Sequence, residues 1–81
     1  MRHEPGAMAM PPEGAPPGDM LEWYLWTHKV SKNELIRRTG IPQATIYRIC
    51  SNESNGGIGL WMRIANALGC RVSDILEPPR E

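Results

Sequence analysis

The 81 residues carry nine Lys and Arg against nine Asp and Glu, for a net charge of zero, and 41% of them are hydrophobic. A chain this short holds one domain with one small core, and its apolar share argues against full disorder. No apolar run reaches the roughly 18 residues of a membrane span, and Glu4 and Pro5 interrupt the stretch where a secretory leader would be apolar, so the expectation is a cytoplasmic protein.

Residues 1–18 are rich in Pro and Gly and hold no aliphatic side chain beyond Ala and Met. Proline removes amide donors, which predicts a disordered or polyproline-like tail. Residues 1–19 carry one cation, Arg2, and three anions, Glu4, Glu13 and Asp19, so the tail is acidic and is not read as a nucleic-acid arm. The folded domain is expected over 19–77, with a short C-terminal tail at 78–81.

Asp19 is read as an N-cap with Glu22 in capping-box position, opening a helix over 20–28. Leu21, Tyr24 and Leu25 share one face of it. Trp23 and Trp26 need a second, either the edge of the core or a surface for a protein partner. Ser31 and Glu34 form a second capping box, and Val30 and Leu35 stand at hydrophobic-staple positions. The helix they start runs to Thr39. Gly40 follows where a left-handed residue closes a helix, and Ile41-Pro42 complete the turn. A third helix is predicted from 42 or 43 to 51.

Residues 51–57 (SNESNGG) read as a polar, mobile loop. A fourth helix over 58–68 aligns Ile58, Trp61, Ile64, Ala65 and Leu68 in one stripe and ends at Gly69. Ser73 is expected to cap a last helix over 74–77, ended by Pro78-Pro79. Five short helices without a strand pattern predict an all-α fold.

Cys50 and Cys70 follow apolar stretches and read as small buried thiols. With His3 and His28 they make no zinc spacing, and no metal or cofactor is expected. Gly56-Gly57-Ile58-Gly59 is a loose run suited to a flexible loop rather than a phosphate cradle. No His or Cys is set against a carboxylate in a catalytic pattern, so the chain is not expected to be an enzyme.

Charge is unevenly spread. Residues 29–50 hold five cations (Lys29, Lys32, Arg37, Arg38, Arg48) against Glu34. That local excess suits a polyanion. Within the third helix, Ile46, Ile49 and Cys50 fall on one apolar face, while Gln43, Ala44, Tyr47 and Arg48 fall on the other. Gln can pair with adenine and Arg with guanine through two hydrogen bonds each. A small Ala lets a helix approach a thymine methyl.

SKNELIRRTGIPQATIYRI, followed by LWMRIANALGCRVSDIL, resembles the λ-repressor/Cro-like (XRE-type) helix-turn-helix family. The likeness rests on Ser31, Leu35, Gly40, Ile41, Gln43, Thr45, Ile46 and Ile49, then on Ile64-Ala65, Ala67-Leu68-Gly69, Val72, Asp74 and Ile75-Leu76. It spans residues 20–77. It implies a compact five-helix DNA-binding domain whose third helix enters the major groove. By the same resemblance, Lys32 would contact a phosphate, Gln43 and Ala44 base edges, and Tyr47 and Arg48 bases or phosphates. Thr45, Ser51 and Asn52 would contact the DNA backbone, and Arg37 and Arg38 would lie off the DNA face.

Three residues depart from the family pattern. Ile36 stands where Ala is common, Pro42 where a Ser or Thr cap is usual, and Leu25 where Arg is frequent. The implied function is sequence-specific duplex DNA binding by a small transcriptional regulator, a repressor, acting as a homodimer. Two rival readings are a DNA-binding antitoxin paired with a toxin, and a protein-interaction module that has lost DNA binding and uses Trp23 and Trp26.

Overall fold

The computed structural model describes residues 14–77. Its elements are α1 (Pro17–Thr27), α2 (Lys32–Thr39), α3 (Gln43–Cys50), α4 (Ile58–Leu68) and α5 (Val72–Leu76), with no strand among the described residues. The all-α expectation holds. Most of the expected N-terminal tail and all of the C-terminal one, 78–81, lie outside the described residues.

α1 opens earlier than the Asp19 cap predicts. Pro17 is its first residue, and the carbonyl of Pro16 accepts the amides of Asp19 (3.0 Å) and Met20 (3.2 Å). The fixed φ of proline suits the first helical position, where its missing N–H would be unpaired in any case. Asp19 therefore sits inside the first turn, where a carboxylate faces the positive end of the helix dipole.

α2 starts and stops as the sequence predicts. The Ser31 hydroxyl accepts the Glu34 amide at 3.0 Å, and Gly40 closes the helix at φ 73°. The return half of the capping box is replaced, because the Glu34 carboxylate accepts from Arg37 and Arg38 instead. The turn into α3 is pinned by Thr39, whose hydroxyl donates to the Leu35 carbonyl (2.9 Å) and accepts from the Ile41 amide (3.1 Å). Ile41 drops into the core, and Pro42 holds the N-cap position of α3 without a side-chain cap.

The core gathers Leu21 and Leu25 from α1, Leu35 from α2, and Ile46, Ile49 and Cys50 from α3. It is completed by Ile41, by Trp61, Ile64 and Ala65 from α4, and by Ile75 from α5. α1 packs on α3 and α5, α2 on α3 and α4, and α4 on α5. Each amphipathic helix thus turns its apolar stripe to a shared centre, and burial of that area drives the fold.

Two expectations change here. Ile58 does not join the α4 stripe; at the first position of its helix it is 69% exposed. The last helix is not capped by Ser73, because Asp74 reaches back to the Arg71 amide at 3.0 Å and α5 begins at Val72. The loop after α3 is tied down at Asn55, whose carbonyl accepts the Trp61 indole N–H at 2.7 Å.

Candidate nucleic-acid interface

The geometry of α3 follows from its two faces. Ile46, Ile49 and Cys50 are buried, while Gln43, Ala44, Tyr47 and Arg48 are exposed and Thr45 is half-buried. Buried isoleucines one turn apart anchor the helix and leave the amide, methyl, phenol and guanidinium groups toward solvent. Burial pushes the Cys50 thiol up to about 11, so it lies neutral under the helix at ordinary pH.

The C-terminal end of α3 is fixed by Asn52, which takes a left-handed conformation at φ 66°. Two backbone bonds close the helix as in a Schellman motif: the Glu53 amide to the Arg48 carbonyl (2.9 Å) and the Asn52 amide to the Ile49 carbonyl (3.1 Å). The Asn52 side chain faces α1. Its oxygen accepts the Gly18 amide at 2.8 Å, and its nitrogen donates to Asp19 Oδ1 at 2.8 Å. Ser51 is also engaged within the protein, its hydroxyl lying 3.0 Å from Glu53 Oε2. Ser51 and Asn52, two of the residues assigned to backbone contact by resemblance, therefore already hold internal partners.

Lys32 stands at the first position of α2, beside the outer face of α3. Its ammonium lies 2.6 Å from Glu22 Oε2 and 5.2 Å from the centroid of the Tyr47 ring. A cation at that distance is attracted by the ring quadrupole, so Lys32 links the phenol of α3 to the carboxylate of α1. The hydrogen bond to Glu22 raises the Lys32 ammonium above its usual range. Arg37 and Arg38 are paired with Glu34 on the same helix. Arg48 has no carboxylate partner among the described residues.

The structure places Gln43, Ala44, Thr45, Tyr47, Arg48, Ser51 and Asn52 along α3 and just past its end, with Lys32 of α2 beside Tyr47. Sequence reasoning missed Glu22 as a neighbour of this surface and Gly18 as its support. Asn52 carried one usable signal: asparagine is among the few residues other than glycine that enter the left-handed region readily.

The Cro/C1-type HTH DNA-binding domain model matches residues 20–81. Among curated proteins and among solved structures, nothing matches the chain.

Proposed function

The chain belongs to the Cro/C1-type helix-turn-helix DNA-binding family, and from that premise we propose that it is a small transcriptional repressor that binds duplex DNA sequence-specifically, with α3 in the major groove and α2 across the backbone. The observation that carries this reading is the exposed row Gln43, Ala44, Tyr47 and Arg48 above a buried isoleucine anchor. Gln43 and Arg48 read base edges through paired hydrogen bonds, Ala44 permits close approach, and Tyr47 meets a base or a phosphate. Lys32, Thr45, Ser51 and Asn52 serve the backbone, which positions the helix without specifying sequence. Lys32 reaches a phosphate by moving away from Glu22. The internal partners of Ser51 and Asn52 leave their main contribution as the placement of the end of α3.

A single module of this size buries roughly 600–1,000 Å² on DNA and gains affinity by pairing on adjacent half-sites. The homodimer this implies is tested by sedimentation with and without duplex. The reading face is tested by selecting preferred sites from a random duplex library. Gln43→Ala should then relax preference at one base pair, at a cost of about 1–3 kcal/mol. An unchanged preference removes Gln43 from the reading face. Failure to bind any duplex at low salt would favour the protein-interaction module instead.

A further inference from the structure

Two carboxylates offset part of the basic charge of residues 29–50. Glu34 holds Arg37 and Arg38, and Glu22 holds Lys32 at 2.6 Å. Beside the Tyr47 ring lies the Lys32 ammonium, and the Glu22 carboxylate offsets its charge. At the head of α2 the positive charge is therefore offset, and the offsetting carboxylate comes from α1.

The Lys32–Glu22 pair is not needed to hold the fold. Its side chains are 34% and 36% exposed, and ion pairs that wet add little to stability. Its position is what matters. An ammonium at the head of α2, resting on the phenol of α3, is where a polyanion lying along α3 would first meet the protein, and a carboxylate already occupies it.

We propose that Glu22 is a brake on DNA binding: its carboxylate neutralises the Lys32 ammonium and stands as a like charge beside the phosphate that Lys32 would contact. The inference rests on the reading of α3 as the DNA-binding helix. If Lys32 swings to a phosphate, the bared Glu22 carboxylate repels that phosphate. If the pair stays closed, the phosphate meets a neutral group. Either way the complex is weaker, and releases fewer counterions, than one formed by an unpaired Lys32. The brake acts on the backbone contact, so it lowers affinity for all sequences alike and leaves discrimination to the base-reading residues.

The test uses the full chain and a random-sequence duplex, titrated between about 50 and 200 mM salt. Glu22→Gln keeps the size and an oxygen acceptor while removing the charge. It should tighten binding at the low-salt end by roughly three- to tenfold and steepen the slope of log affinity against log salt by about 0.9. Glu22→Ala should change both in the same direction. Adding Lys32→Gln to Glu22→Gln returns the local charge to its original value and should restore the wild-type slope. Equal or weaker binding by Glu22→Gln with an unchanged slope overturns the brake, while wild-type binding leaves the DNA reading standing. Absence of binding by both proteins at low salt overturns the DNA reading and the brake with it.

Discussion

The backbone amide of Gly18 donates to the side-chain oxygen of Asn52 at 2.8 Å, across 34 residues of sequence. This bond joins the first turn of α1 to the residue that ends α3, and Asn52 Nδ2 completes it by donating to Asp19. The approach is close enough that only glycine fits. A Cβ on Gly18 would lie 2.2 Å from the Ile49 carbonyl oxygen and 2.5 Å from Asn52 Oδ1. The orientation of α3 is therefore set at two ends: at its start by the Gly40 turn, and at its finish by this clamp.

Gly18→Ala should destabilise the protein by about 1–3 kcal/mol, since the backbone of α1 must back away from α3 to admit one methyl group. Asn52→Ala should cost a similar about 1–3 kcal/mol, by leaving the Gly18 amide unpaired and by forcing alanine into the left-handed region. Asn52→Gly relieves the second penalty and not the first, so it should fall between Asn52→Ala and wild type. Urea unfolding measures all three through the midpoint at constant m. Equal midpoints for Asn52→Ala and wild type would show that the clamp contributes nothing to stability.

Ser31→Ala should cost about 1 kcal/mol, because the Ser31 hydroxyl is the side-chain acceptor for the Glu34 amide at the start of α2. The loss should appear in the urea midpoint and in faster amide exchange at Glu34. Ser31→Asp keeps an acceptor at the cap and should recover most of it; failure to recover would mean that the hydroxyl acts by some route other than capping.

Local signals in the sequence were enough for α2, the Gly40 turn and the inward face of α3. A cap, a left-handed residue and a helical repeat are each settled within a few residues of where they occur. The start of α1 was misread because Pro16-Pro17 suit both a polyproline tail and a helix head, and only packing on α3 chooses between them. Ile58 matched the helical repeat of α4, yet one residue at the mouth of a helix can satisfy the period and still find no neighbour. The Glu22–Lys32 pair and the Gly18–Asn52 clamp lie between helices distant in sequence, so no periodicity announces them. Of the interface, the residue types were legible, whereas the internal partners that restrain Lys32, Ser51 and Asn52 were not.

The two cysteines should react at very different rates. Cys50 is buried with its thiol pushed up to about 11, and Cys70 is half-buried. At pH 8 only about one Cys50 in a thousand would be thiolate even if reagent could reach it. Iodoacetamide should therefore modify Cys70 first, and Cys50 only when the helices separate. Site-resolved mass spectrometry in rising urea should show Cys50 alkylation accelerating as global stability falls. Modification of Cys50 as fast as Cys70 in the native protein would mean that α3 lifts from the core on its own.

Alkaline pH should loosen the contact between α1 and α5 before it affects the rest. The Tyr24 phenol is raised to about 12, first by the Cys70 side chain beside it, then by burial and by the Asp74 carboxylate. Its ring stacks on His28 with centroids 4.0 Å apart. An unfolded tyrosine ionises near pH 10, so the folded state here binds the phenolic proton more tightly than the unfolded state. The stabilisation is fully present below about pH 10 and is lost as pH rises from there toward 12. Lys32, also raised, by its hydrogen bond to Glu22, acts in the same direction, though weakly because the pair is exposed. Wild-type urea midpoints should consequently fall between pH 10 and 12. Tyr24→Phe has no phenol to ionise and should decline less steeply. Parallel declines for the two proteins would mean that Tyr24 ionises alike in the folded and unfolded states.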